Sequence, residues 1–179
     1  MAASPYVKIT LPPEYIWVLS SALLTILVLI GMTVPAFRGR MRNFNKQFME
    51  ENFGKFHHEE LKKAGLPDTP VSEVGHPDHG NGRYAEKLSY AQWRDLNLSQ
   101  NVQKNMLEQV NIFIFLLLLG GTIKPKLAAS IGVFHAFGRI VYAIGYSSSP
   151  NGRLLGAMCV MLSMVSLFSL SAYALYWMI

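Results

Sequence analysis

Residues 101–122 read NVQKNMLEQVNIFIFLLLLGGT, and this stretch decides the fold. A helix carries Asn101, Asn105 and Glu108 into an uncharged apolar run at spacings of four and three, which sets the three side chains one turn above another on a single face. Polar groups at bilayer depth are expensive and face the inside of a bundle or a wet cavity. The stretch predicts a membrane-spanning helix with a functional face rather than a plain anchor. Its partners are expected in residues 134–153.

The rest of the composition agrees with a membrane class. With 51% hydrophobic and only 15% charged residues in 179, the chain is too apolar for a soluble domain of its size. Its net charge of +5 comes from short basic clusters beside apolar runs, a topology signal. No basic face interleaved with aromatics is visible, so nucleic acid is not an expected partner, whereas membrane lipid is. The single cysteine, Cys159, excludes an intrachain disulfide and reads as a small apolar residue within a span. Residues 1–14 form an N-terminal segment without a secretory or transit pattern, so delivery is expected to rely on the first span.

Outward from the opening stretch, residues 15–37 hold no charge and match the roughly 20 apolar residues that cross a bilayer. They make a first transmembrane helix, with Pro35 kinking or ending it. Residues 38–97 form an extended polar loop. In it Phe44, Phe48, Phe56 and Leu61 fall near helical spacing and predict an amphipathic helix lying on the membrane or on a neighbour, breaking near Gly65 and Pro67. GLPDTPVSEVGHPDHGNG, residues 65–82, is turn chemistry, and residues 83–97 resume with Tyr84, Leu88, Tyr90, Trp93 and Leu96. The second, third and fourth transmembrane helices are placed at 98–123, 127–146 and 154–179. The fold class is an all-α, four-transmembrane-helix, up-down-up-down bundle with a long polar loop between helices 1 and 2. Arg38, Arg40, Arg42, Lys46 and Arg153 outnumber Lys8, Lys124 and Lys126, which puts the long loop on the cytosolic side, or on the matrix side of a mitochondrial membrane.

Arg139 in the third helix needs a partner, and Glu108 is the counter-ion the sequence offers. That pair alone fits a structural clamp between helices as well as it fits a ligand site. Tyr142, Tyr146 and Arg153 continue along the same face and loop, so Asn105, Glu108, Arg139, Tyr142, Tyr146 and Arg153 would form a cationic, hydrogen-bonding pocket for an anion. Lys104, three positions from Asn101, is expected to point to a different part of the helix surface. His57, His58, His76, Asp78 and His79 lack a second cluster at zinc spacing, so a solvated loop and no metal are expected. Ser147, Ser148 and Ser149 read as a turn.

The pattern NxxE opening a span, then FGRIVYAIGY at 137–146, then an arginine seven residues after the last tyrosine, resembles the MAPEG superfamily, membrane proteins of eicosanoid and glutathione metabolism. The likeness is nearest to type-three microsomal glutathione transferases. GGTIKPKLAASIG at 120–132 is similar to the family's second turn. The resemblance implies a homotrimer holding glutathione, as co-substrate, between neighbouring subunits. Asn105, Glu108, Arg139, Tyr142, Tyr146 and Arg38 would be glutathione-binding, and Arg153 would be the catalytic residue that stabilises the thiolate. One position departs from the pattern. Asn101 stands where the family carries an arginine that anchors a carboxylate, and an amide does not replace a bidentate cation.

Two functions follow. One is a glutathione-dependent transferase or peroxidase acting on hydrophobic electrophiles in an endoplasmic reticulum (microsomal) or mitochondrial membrane. The other is a catalytically weakened accessory or scaffold subunit of a larger heteromeric complex, such as a respiratory-chain assembly, which Asn101 and the long aromatic loop favour.

Overall fold

The computed structural model describes residues 11–75 and 78–178, apart from the side chain of Met178. Lys8 and His76 lie outside the described residues. Among the described residues seven α-helices follow in order: α1 (Tyr15–Gly31), α2 (Thr33–Asn43), α3 (Lys46–Met49), α4 (Lys55–Lys63), α5 (Tyr90–Gly121), α6 (Pro125–Ser148) and α7 (Leu154–Met178). Among the described residues four stretches are long and apolar enough to cross a membrane: Tyr15–Asn43, Tyr90–Gly121, Pro125–Ser148 and Asn151–Trp177. The protein is an all-α, multi-pass integral membrane protein.

The first stretch is broken between α1 and α2, one turn before Pro35. Proline has no N–H to offer the carbonyl of Gly31 and its ring crowds that carbonyl. The chain therefore tightens at Met32, whose N–H bonds to Leu29 O at 3.1 Å, and Pro35 falls in the first turn of α2, where a missing N–H costs nothing. α6 uses the same chemistry, with Pro125 as its first residue.

Two compact units divide the chain. One comprises residues 11–28, Gln109–Ile140 and residues 155–178. Its core draws on all four spans: Tyr15 and Val18 from α1, Phe113 and Leu117 from α5, Ala128 from α6, and Leu167 and Leu170 from α7. Inside lipid the hydrophobic effect does little to join helices, so close packing and interhelical hydrogen bonds hold them. Here Tyr15 Oη donates to Leu118 O at 2.9 Å and Ser171 Oγ to Leu116 O at 2.8 Å.

The other unit, Leu29–Glu108 with Val141–Leu154, contains the loop. The loop has an apolar core of its own, in which Phe44, Met49, Phe53, Val71, Ala85, Leu88 and Leu96 are buried. Asn45 caps α3, accepting from Phe48 N at 3.0 Å, and a π turn at Glu50–Gly54 joins α3 to α4. The amphipathic stretch thus turns Phe44 and Phe48 onto its own loop, while α4 buries no residue and Phe56 is exposed. Gly65, at φ +65°, ends α4, with Leu66 N bonding back to Leu61 O at 3.0 Å and Gly65 N to Lys62 O at 3.2 Å.

α5 begins at Tyr90, eight residues before the point where hydropathy starts the second span. Ser89 and Gln92 form a reciprocal capping box: Ser89 N donates to Gln92 Oε1 at 3.0 Å and Gln92 N to Ser89 Oγ at 3.3 Å. The early turns of α5 are tied to α2 by Asp95, which takes both Arg42 Nε (3.0 Å) and Nη2 (2.8 Å) and also Asn43 Nδ2 (2.7 Å).

Candidate functional site

In the loop-bearing unit, α5 and the end of α6 bring two amides against two phenols. Asn105 Nδ2 donates to Tyr142 Oη at 2.8 Å, and Asn101 Nδ2 reaches Tyr146 Oη at 3.5 Å, the outer limit of a hydrogen bond. The tyrosine rings lie 5.5 Å apart, and the Arg153 guanidinium sits 5.0 Å from the centroid of Tyr146. A sharp turn makes that last contact. Gly145 and Gly152 meet backbone to backbone, and a Cβ on either would strike the other's carbonyl. The 3₁₀ turn Asn151–Arg153 then delivers Arg153 to the ring of Tyr146.

Arg139 belongs to the other unit, where only 2% of it is exposed. Its Nη2 donates to Gln109 Oε1 at 2.6 Å and its Nε to His135 Nε2 at 3.4 Å, while the His135 ring stacks on Phe113 at 3.6 Å between centroids. The expected counter-ion therefore needs correcting. Glu108 is exposed and takes part in no ion pair among the described residues. Consecutive helical residues differ by about 100° around the axis. Gln109, the next residue along α5, is hydrogen-bonded to the guanidinium.

Arg38 is on α2. It lines a cleft of about 320 Å³ with Arg42, Asp95, Ser99 and Ser147.

A larger cavity, about 740 Å³, opens in the loop-bearing unit. α2 contributes Phe37 and Arg40, the loop contributes His79 and Asn81, and α5 contributes Asn97, Gln100, Asn101, Gln103 and Lys104. Lys104 thus shares this cavity with Asn101, contrary to the expectation that it faces elsewhere. Residues three apart on a helix are neighbours, and the cavity is wide enough to take both.

The loop wall is set by Asp78, of which 6% is exposed. Its Oδ1 accepts from Gly80 N (2.7 Å) and Gly82 N (3.0 Å), and its Oδ2 from Ala85 N (2.8 Å). Burial works against the charge, but the backbone donors of Ala85, Gly80, Gly82 and Tyr84 outweigh it and hold the carboxyl below its usual range. Arg40 closes the turn from the other side, donating to the carbonyl of Asp78 and, at 3.0 Å, to that of Val74. Trp93 Nε1 adds a bond to Gly80 O at 3.1 Å.

Elsewhere in the loop, His58 pairs with Asp68, and His57 Nε2 lies 3.0 Å from Thr69 O. Among the described residues no three His, Cys, Asp or Glu side chains gather as a metal site would require.

The model of the MAPEG family matches residues 15–176. The chain belongs to the MAPEG family. The matched range takes in all four spans and the loop between the first two. Sequence reasoning gave no role to Gln109 or His135, counted Arg40 only among the topology-setting charges, and weighed Asp78 only as part of a metal cluster it set aside. Only the S-x-x-Q cap at Ser89 carried a signal readable beforehand.

Proposed function

We propose that this MAPEG protein is a glutathione-dependent transferase or peroxidase acting on hydrophobic electrophiles that arrive through the lipid. The observation carrying it is the position of Arg153, held beside Tyr146 at the end of the paired amides and phenols. A guanidinium next to a thiol lowers its pKa, and the thiolate is the nucleophile. The thiolate sulfur bonds to the electrophilic carbon while the leaving group departs with the bonding electrons. With a hydroperoxide, two glutathiones are oxidised to the disulfide and the peroxide is reduced to alcohol and water.

Arg153 is the catalytic residue in this proposal. Asn105, Glu108, Arg139, Tyr142, Tyr146 and Arg38 are the glutathione-binding set by family pattern, working in a homotrimer of an endoplasmic reticulum or mitochondrial membrane. Likeness to type-three microsomal glutathione transferases supports the assignment. Arg153→Ala is expected to lower kcat/KM for glutathione conjugation of a hydrophobic aryl halide by about 10²–10³-fold, the size of losing one transition-state donor. Unchanged turnover would remove the role given to Arg153.

A second reading, an accessory subunit of a larger membrane assembly, is favoured by the aromatic surface of the loop-bearing unit, where Tyr90 is 76% exposed and Phe56 and Trp93 are also open. Native mass spectrometry of the protein extracted from its own membrane separates the two. Stable unlike subunits favour the accessory role, and a homotrimer alone favours the enzyme.

A further inference from the structure

We infer that Lys104 anchors a carboxylate in the cavity lined by α2, the loop and α5. The inference rests on the glutathione reading for the ligand's identity, though not for the presence of an anion site.

The cavity of about 740 Å³ falls within the roughly 300–1,000 Å³ of small-molecule sites. Its lining holds two cations, Arg40 and Lys104, and no carboxylate. The two are not equivalent. Arg40 already spends its terminal nitrogens on the carbonyls of Asp78 and Val74, with the Asp78 carboxylate close behind. Lys104 is exposed and has no ion-pair or hydrogen-bond partner among the described residues, so its charge is available to a ligand.

Around it stand groups that donate without carrying charge. Asn101 and Gln103 flank Lys104 on α5, and Asn81 faces in from the loop. Gln100 Nε2 is buried without an acceptor, a donor that a bound oxygen would satisfy without breaking an existing bond. A cation amid amides, with no carboxylate in the lining, recognises a compact, hydrophilic molecule bearing carboxylates. Arg40 lends the cavity positive potential and fixes the loop wall.

The test is calorimetric titration of the full-length protein in detergent with four probes: glutathione, its diethyl ester, citrate as an unrelated polycarboxylate, and a short-chain anionic phospholipid. Lys104→Ala is expected to weaken glutathione by about tenfold, the loss of one charge-assisted contact. Lys104→Arg is expected to stay within a few-fold of the parent. The diester is expected to bind the parent and Lys104→Ala equally, because it lacks the groups the lysine holds.

Glutathione bound equally by parent and Lys104→Ala would overturn the inference and leave the glutathione reading standing. Citrate binding that depends on Lys104, in a protein that ignores glutathione, would keep the anion site and reject glutathione. If only a short-chain anionic phospholipid binds in a Lys104-dependent way, the lysine belongs to the bilayer and the inference falls. Binding of no probe overturns it too.

Discussion

Arg139 and Asp78 are both charged and nearly buried, at 2% and 6% exposure, yet the two units solve the problem in different ways. In the membrane-spanning unit, Arg139 meets side chains, Gln109 and His135, because helical backbone has no free donors or acceptors to offer. In the loop-bearing unit, Asp78 meets main-chain N–H groups that a turn leaves unpaired. Polar partners in a span must be written into the sequence as polar residues. Partners in a loop are made by the path of the chain.

That contrast breaks most readily at Gly75, whose φ of +57° is unfavourable for other residues and whose missing Cβ makes room for the Phe44 ring. Gly75→Ala is expected to destabilise the loop by about 2–4 kcal/mol, adding left-handed strain to overpacking. Hydrogen exchange should show lost protection across 44–96 with the spans unaffected. Protection lost equally in both units would mean that they unfold as one.

The reciprocal perturbation is Gln109→Ala, which removes an acceptor from a buried guanidinium. It is expected to cost about 1.5–3 kcal/mol in thermal unfolding in detergent, with loop protection unchanged. An effect confined to the loop would reverse the assignment of the two regions.

Asp78→Asn leaves one acceptor oxygen where there were two, and is expected to cost about 1–3 kcal/mol. It also carries a pH signature. The folded carboxyl titrates below the unfolded value of about 3.9, so its contribution is complete above that value and is lost as pH falls through the folded pKa. The parent loop should therefore open in acid more steeply than the Asn variant, as followed by Trp93 fluorescence. Identical acid profiles would remove Asp78 from that role. Ser89→Ala, which deletes only a cap, is expected to cost about 1 kcal/mol and to fray the first turns of α5.

The same contrast governs how much could be read beforehand. Four apolar runs announced four spans, and the polar residues inside them, Asn105 and Arg139 among them, were visible as residues needing company. Choosing between Glu108 and Gln109 was beyond the pattern, since neighbouring positions differ by a rotation that only packing decides. The loop was harder. HPDHGNG looked like generic turn chemistry because the service Asp78 performs depends on where Gly80, Gly82 and Ala85 return in space. Lys104 was misplaced for a related reason, since a cavity is broader than a helix face.

The proposed function requires that the loop-bearing unit ionise a bound thiol. Ultraviolet difference absorbance of the purified protein on adding millimolar glutathione reads this directly. A thiolate band in the parent that vanishes in Arg153→Ala is the predicted result; no band in the parent, or one indifferent to Arg153, would contradict it.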